Sequence, residues 1–364
     1  MASEEASPRA AQIKRLLVVR LSAMGDVIHT LPAVAALRKA FPETTIGWVI
    51  EERWAELLSS TTAPRCGERS SQKPLVDNVH VVNTKAWRRT LLSDRTWAEV
   101  LASIRELRTA RYDAAIDFQG AIRSAVIARL AKPRLIYGFS RPRERAASLF
   151  YTQRKEARGT HIIEQNLALA SAFARQDLPL SPAEFPADKI ADQHARITLA
   201  HRRLADFAIL NPGAGWGAKQ WPAERYGQVA RHLYERAGIQ SLINYGPGEE
   251  QLAWKVERNS GGAAHPVTCT LSELIALTQR ASLFIGGDTG PLHLAAALGV
   301  PVVAIFGPTA PARNGPFNTR SIVLRNPTSP TTHARQRRPD VGMLQITADD
   351  VVSAALNVLK EIRA

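Results

Sequence analysis

Residues 282–309 constrain the fold more tightly than any other stretch, because their residue order fits strand, loop, helix, loop, strand. Leu283, Phe284 and Ile285 make a short β run, which Gly286 and Gly287 end. Pro291 stands where a first helical residue belongs: its missing N–H costs nothing there and its φ is already helical. A helix is expected over 292–298, with Gly299 as its stop. Residues 301–306 then form a β-branched run suited to a buried parallel strand. Asp288, Thr289 and Gly290 therefore fall at the carboxyl end of a strand, just ahead of a helix N-terminus. In an open α/β sheet that place collects ligands, and its free amides and positive dipole end suit a phosphate. Asp288 can accept hydrogen bonds there, and His293 sits one turn into the helix. A plain βαβ turn with an Asx cap and a core-facing histidine fits this segment equally well.

The same order recurs along the chain. Residues 13–21 read as a first strand, Ser22-Ala23-Met24-Gly25-Asp26 as its loop, 27–40 as a helix and 46–50 as a second strand. Further strands are expected at 79–82, 112–117 and 135–137, with helices at 97–108, 122–130 and 161–175. The pattern restarts with strands at 208–210 and 240–245 and helices at 222–237 and 271–280. Residues 313–339 read as loop-rich and basic. A last amphipathic helix, 347–363, has Thr347 as its cap and Asp349 and Asp350 in the favourable first turn. With 364 residues there is room for two domains with separate cores. The expected division is a disordered 1–12, a Rossmann-like domain over 13–175, a linker over 176–200, a second Rossmann-like domain over 201–346 and a terminal helix over 347–364. Two such halves place a ligand cleft between them.

The net charge of +14 favours an anionic partner: nucleic acid, a membrane face or an acidic substrate. No aromatic RNA-binding pattern, zinc-finger spacing or helix-turn-helix accompanies it, so no nucleic-acid partner is expected. Apolar runs are broken by Gly and Pro well short of a membrane span, and no signal-type segment opens the chain. A cytoplasmic location is expected. Cys66 and Cys269 lie far apart without ligand spacing and read as free thiols. No His/Cys cluster or Asp-x-Asp is present, so neither a metal nor a cofactor is expected.

Four strand-end loops carry groups fit for chemistry. Asp26, after Gly25, is a carboxylate at the head of a helix, where the ionised form is favoured and can act as a general base; an ordinary N-cap is the plain alternative. Lys219 follows the glycine-bearing loop Asn211-Pro212-Gly213-Ala214-Gly215. That loop is not a P-loop, because Ala218 precedes Lys219 and Gln220 follows it. A lysine there can still neutralise a diphosphate as a point charge; a solvated surface lysine is the plain alternative. Glu249 and Glu250 follow a strand-end turn, a position that often holds a ribose, although glutamate is also simply favoured in a first helical turn. No G-x-G-x-x-G opens either half, which disfavours a standard dinucleotide site.

Taken together, four motifs resemble the lipopolysaccharide heptosyltransferases, glycosyltransferase family nine. They are Ser22-Ala23-Met24-Gly25-Asp26-Val27-Ile28-His29-Thr30-Leu31-Pro32, Lys219-Gln220-Trp221-Pro222, Asp288-Thr289-Gly290-Pro291-Leu292-His293 and Phe306-Gly307-Pro308-Thr309. The resemblance runs from residue 13 to the C-terminus and is nearest to the type that adds the first heptose to Kdo on lipid A. It implies a GT-B fold, two Rossmann-like domains facing each other across a cleft, with the C-terminal helix returning to the N-terminal domain. It also implies an ADP-heptose donor, a Kdo2-lipid A acceptor and metal-independent inverting transfer.

By matching motif, Asp26 would be the general base, and Lys219 with the amides of Thr289 and Gly290 would steady the charge growing on the diphosphate. Gly213, Lys219, Glu249, Asp288, Thr289, Gly290 and His293 would bind the donor, Glu249 through the adenosine ribose. The acceptor would meet Ser22, Met24, Gly25, Trp87, Arg88, Arg89, Gln119 and Arg143. Arginine suits that acceptor's carboxylates and phosphates by bidentate recognition. The same charge would draw the protein peripherally to the cytoplasmic face of the inner membrane. The chain departs from the family where Asn211-Pro212-Gly213-Ala214-Gly215 replaces a Thr-rich loop and where 326–339 is arginine-rich. A transferase acting on a later core sugar, a nucleotide-sugar epimerase of the same shape, and a non-catalytic nucleotide-sugar or anionic-lipid binder are the competing readings.

Overall fold

The computed structural model describes residues 13–332 and 338–363. The expected disorder of 1–12 and part of the basic stretch 326–339 lie outside the described residues. The chain divides into two compact units, one ending at Asp188 and the other beginning at Lys189.

The first unit is built on a six-stranded parallel sheet. Its strands are β1 (Arg15–Val19), β2 (Thr45–Glu51), β3 (Asn78–Val82), β4 (Ala114–Asp117), β5 (Leu135–Phe139) and β6 (Gln153–Lys155). They are ordered β3-β2-β1-β4-β5-β6. Leu16 sits opposite Ile46 on one side and Ala114 on the other. Leu16, Leu17, Val18 and Val19 are all buried, as a central parallel strand covered by helices on both faces requires. The strand order reverses between β1 and β4, so the loops leaving these two strands flank the sheet's switch point.

The second unit repeats the plan with β7 (Phe207–Asn211), β8 (Gln240–Asn244), β9 (Ala264–Val267), β10 (Leu283–Gly287), β11 (Val302–Phe306) and β12 (Ser321–Arg325). The order is β12-β11-β10-β7-β8-β9, all parallel, with the switch point between β7 and β10. Every residue of β11 is buried, as its β-branched run implied.

Several expectations are corrected. β6, β9 and β12 had no counterpart in the sequence reading. All three are edge strands, which lack the two-sided burial that writes a continuous apolar run. β9 even carries Pro266, tolerable because an edge strand has one unpaired side. The second half of the expected linker is the helix Lys189–His201, whose Ala195 and Leu199 join the core of the second unit. The helix expected over 27–40 is two, Met24–Ile28 and Leu31–Ala40, so Asp26 lies within the first turn rather than ahead of it. The C-terminal helix Ala348–Arg363 falls within the second unit. Its Val351, Val352, Ala355 and Val358 pack with Val303, Ile305 and Met343 in the second unit's own core. Thr347 and Asp350 cap it reciprocally: Thr347 Oγ1 accepts from the Asp350 amide at 3.1 Å, and Asp350 Oδ2 accepts from the Thr347 amide at 2.8 Å.

Candidate active site

At the first switch point, β1 is followed by Arg20, whose carbonyl accepts from Trp48 Nε1 at 3.0 Å. The Arg20 guanidinium is buried and turns back under the loop. Its Nη1 donates to the Phe118 carbonyl, and its Nη2 lies 2.9 Å from Asp26 Oδ1. The other carboxylate oxygen of Asp26 accepts from the Ala23 amide at 3.1 Å. Asp26 is thus held on both oxygens, yet its side chain is 39% exposed against 6% for Arg20. A fixed, reachable carboxylate with a buried cation behind it can take a proton from a bound hydroxyl.

The loop after β4 closes the other side of this site. Gln119 Oε1 accepts from the amides of Leu21 at 2.8 Å and Ser22 at 3.3 Å, tying the two loops across the switch point. Asp117 beneath it is fully buried. It accepts from the amides of Gln119 and Gly120, from Ser124 Oγ and from the Tyr151 hydroxyl. Burial pushes the Asp117 carboxyl up, against the pull of these donors. Gly120 adopts φ +65°, which lets the chain turn out of β4 beside Pro142 and Arg143.

Of the other expected acceptor residues, Ser22 is half-buried and receives a hydrogen bond from Arg123 Nη2 at 3.0 Å. Met24 and Gly25 are buried inside the short helix, and Gln119 is buried as a loop brace. Trp87 is half-buried, with its Nε1 donating to Glu99 at 3.1 Å, while Arg88, Arg89 and Arg143 are exposed.

At the second switch point the groups cluster more tightly. The turn Gly217–Lys219 brings the Lys219 ammonium onto Asp288, where it donates to Oδ2 and, at 3.3 Å, to the main-chain carbonyl. His293 Nε2 reaches the other carboxylate oxygen at 3.0 Å from one turn inside the helix Gly290–Ala297. Burial alone would push the Asp288 carboxyl up. His293 and Lys219 outweigh that and hold it well below the usual carboxylate range. The core-facing alternative for His293 is half right: the ring is buried, but against a carboxylate. Lys219 also stands 4.4 Å from the centre of the Trp216 ring.

Thr289 caps the helix in extended backbone, and Gly290 is its first residue. Asn211, at the end of β7, donates to the Gly213 carbonyl at 3.1 Å and to Thr289 Oγ1 at 3.4 Å. Asn244, at the end of β8, donates to Asn211 Oδ1 at 2.6 Å. Glu249 Oε2 accepts from the Gly246 amide at 2.8 Å and presses against Gly213, where an added Cβ would lie 2.2 Å from the carboxylate. Only glycine admits Glu249 at that spot.

Sequence reading missed Arg20, Asn211 and Asn244 as site residues. A basic residue closing the apolar run of β1 was the one available signal for Arg20. Among the described residues no three His, Cys, Asp or Glu side chains gather as a metal site.

A sequence model described as glycosyltransferase family 9 (heptosyltransferase) matches residues 100–341. Lipopolysaccharide heptosyltransferase 1 of Pseudomonas aeruginosa is 29% identical over 315 residues, covering 85% of this chain and 83% of that protein. The protein of the same name from Escherichia coli is 29% identical over 317 residues, covering 86% and 94%. Among solved structures, Escherichia coli heptosyltransferase WaaC with ADP superposes with a TM-score of 0.75. That match is at 26% identity and covers 96% of this chain and all of that one.

Proposed function

The chain belongs to glycosyltransferase family 9, and from that premise we propose that it moves heptose from ADP-L-glycero-D-manno-heptose to Kdo of Kdo2-lipid A. The observation that carries this reading is the Lys219–Asp288–His293 cluster at the head of the helix Gly290–Ala297. An ammonium has three N–H groups; Lys219 spends two on Asp288, and the third is left for a diphosphate oxygen. The amides of Thr289 and Gly290 add fixed positive dipole ends where charge develops on the leaving ADP. Glu249 beside Gly213 suits a ribose hydroxyl, and Asp288 with His293 serves to hold Lys219 rather than to meet the sugar directly.

On the first sheet, Asp26 accepts the proton of the acceptor hydroxyl as that oxygen attacks the anomeric carbon and the bond to the diphosphate breaks. The transition state is oxocarbenium-like, and attack opposite the leaving group inverts the centre. The exposed Arg88, Arg89 and Arg143 suit the carboxylates and phosphates of the acceptor. A peripheral place on the cytoplasmic face of the inner membrane follows from the charge and from a lipid-borne acceptor. Among the described residues no helix is long and apolar enough to cross a membrane.

The test is ADP release from that donor with Kdo2-lipid A, in the presence of EDTA. Release that requires the acceptor and disappears in Asp26→Ala is the expected result. ADP binding without turnover on this acceptor would redirect the reading to a later core sugar or a non-catalytic binder, and absence of ADP binding would sink it.

A further inference from the structure

One surface of the first unit is left unexplained by this chemistry. After the short helix Thr84–Trp87 the chain makes a tight turn, closed by the Ser93 amide donating to the Thr90 carbonyl at 3.0 Å. Its two central residues are Leu91 and Leu92. Turn corners are ordinarily polar, because they meet water. Here Leu91 is 54% exposed and Leu92 is fully exposed at 101%.

The turn is not loose. Thr90 Oγ1 bonds Thr96 Oγ1 at 2.8 Å, and Trp97 Nε1 donates to the Leu91 carbonyl at 2.9 Å. That bond sets the half-exposed indole of Trp97 beside the leucines, and Leu101 follows one turn on along the helix Asp94–Thr109. The helix turns Thr96 and Leu107 inward, so its outer face keeps Trp97 and Leu101 for something else. Lys85, Arg88 and Arg89 precede the turn, all exposed, and none has an ion pair or side-chain hydrogen bond among the described residues.

We propose that the turn Leu91–Leu92, with Trp97 and Leu101, inserts into an anionic phospholipid bilayer while Lys85 rests on its headgroups, beside the Arg88 and Arg89 that meet the anionic groups of the lipid-borne acceptor. Charge complementarity picks this occupant. A convex apolar tip with an indole at its base and unpaired cations around it matches the layering of a bilayer, apolar behind anionic. The inference deepens the acceptor reading and takes from it only the expectation of a lipid-borne substrate.

The experiment is co-sedimentation of the full chain with vesicles of phosphatidylethanolamine and phosphatidylglycerol that contain no acceptor glycolipid. Wild type should bind, less so at high salt. The Leu91→Glu/Leu92→Glu variant should lose roughly tenfold or more in partitioning, from lost apolar insertion and added charge. Its circular dichroism and its turnover on a water-soluble, acyl-free acceptor should be unchanged. Vesicle binding equal to wild type in that variant would overturn the proposal, since charge alone would then suffice. So would absence of binding by wild type at low salt. Dimerisation without vesicles, abolished by the same change, would instead assign the tip to a second copy. Failure of wild type to release ADP would count against the transferase reading alone and leave the vesicle result standing.

Discussion

Arg20 and Asp26 form an ion pair across the turn that leaves β1, with Nη2 2.9 Å from Oδ1, the cation buried and the carboxylate half open. The pair is one-sided by design of the loop. Arg20 is also fastened to the Phe118 carbonyl, so it stays put while Asp26 faces whatever enters. An anchored cation holds the carboxylate in one orientation, so ordering it carries no further cost.

Asp26→Asn should keep the fold, since the amide oxygen can still accept from Ala23, and should lower kcat by roughly 10²–10⁴. Arg20→Gln acts at one remove and should lower kcat by about tenfold to a hundredfold, with KM for the donor little changed. Arg20→Lys should recover part of that loss. Steady-state kinetics of the three variants decides it: a wild-type kcat in Arg20→Gln would deny any positioning role.

Gly213→Ala places a methyl group 2.2 Å from the Glu249 carboxylate. Glu249 must then leave the position where it accepts from the Gly246 amide. ADP affinity should fall by about tenfold, the scale of one good hydrogen bond to a charged group. The double variant Gly213→Ala/Glu249→Ala should regain thermal stability relative to Gly213→Ala without regaining affinity. Calorimetric titration with ADP reads both variants, and full affinity in Gly213→Ala would remove Glu249 from the donor site.

The glycine loops were legible in the sequence because strand, loop and helix lie consecutively. Asp26, Lys219, Asp288 and His293 were reachable as candidates from that local order alone. What joins them was not. Arg20 reaches the Phe118 carbonyl 98 positions away, and Asn211 reaches Thr289 across 78. No local pattern specifies such partners. The C-terminal helix shows the same limit from the packing side. Its apolar stripe announced a buried face, but Val351 and Val358 fit either sheet as far as periodicity goes, and the structure seats them on β11. Edge strands failed for a third reason: β12 reads Ser-Ile-Val-Leu-Arg with no residue fully buried, so burial left no mark there.

Gln119 holds the two loops of the first sheet together by accepting from two main-chain amides. Gln119→Leu keeps the volume but leaves the buried Leu21 amide without an acceptor, at a cost of about 1–3 kcal/mol, and the half-buried Ser22 amide with only water to meet. The first unit should therefore unfold at lower urea concentration, while Gln119→Glu, which keeps an acceptor oxygen, should lose less. Tryptophan fluorescence during urea unfolding reports the difference. Equal midpoints for wild type and Gln119→Leu would show that water replaces the lost oxygen.

Asp288 makes the second unit's stability depend on pH in acid. Burial opposes its charge, but His293 and Lys219 lower its titration well below the ordinary carboxylate value of 3.8. A carboxyl depressed on folding contributes stability in full above its unfolded value. That contribution is lost as pH falls toward the folded value. Asp288→Asn removes the charge and leaves the Lys219 ammonium without its counter-ion, which should cost about 3 kcal/mol at neutral pH. Below pH 3.8 wild type gives up the same contribution, so the gap between the two proteins should narrow steadily with acid. Thermal midpoints of both proteins between neutral pH and about pH 3 measure that gap directly. A gap that stays constant across the range would mean that the Lys219–Asp288–His293 cluster adds no net electrostatic stability.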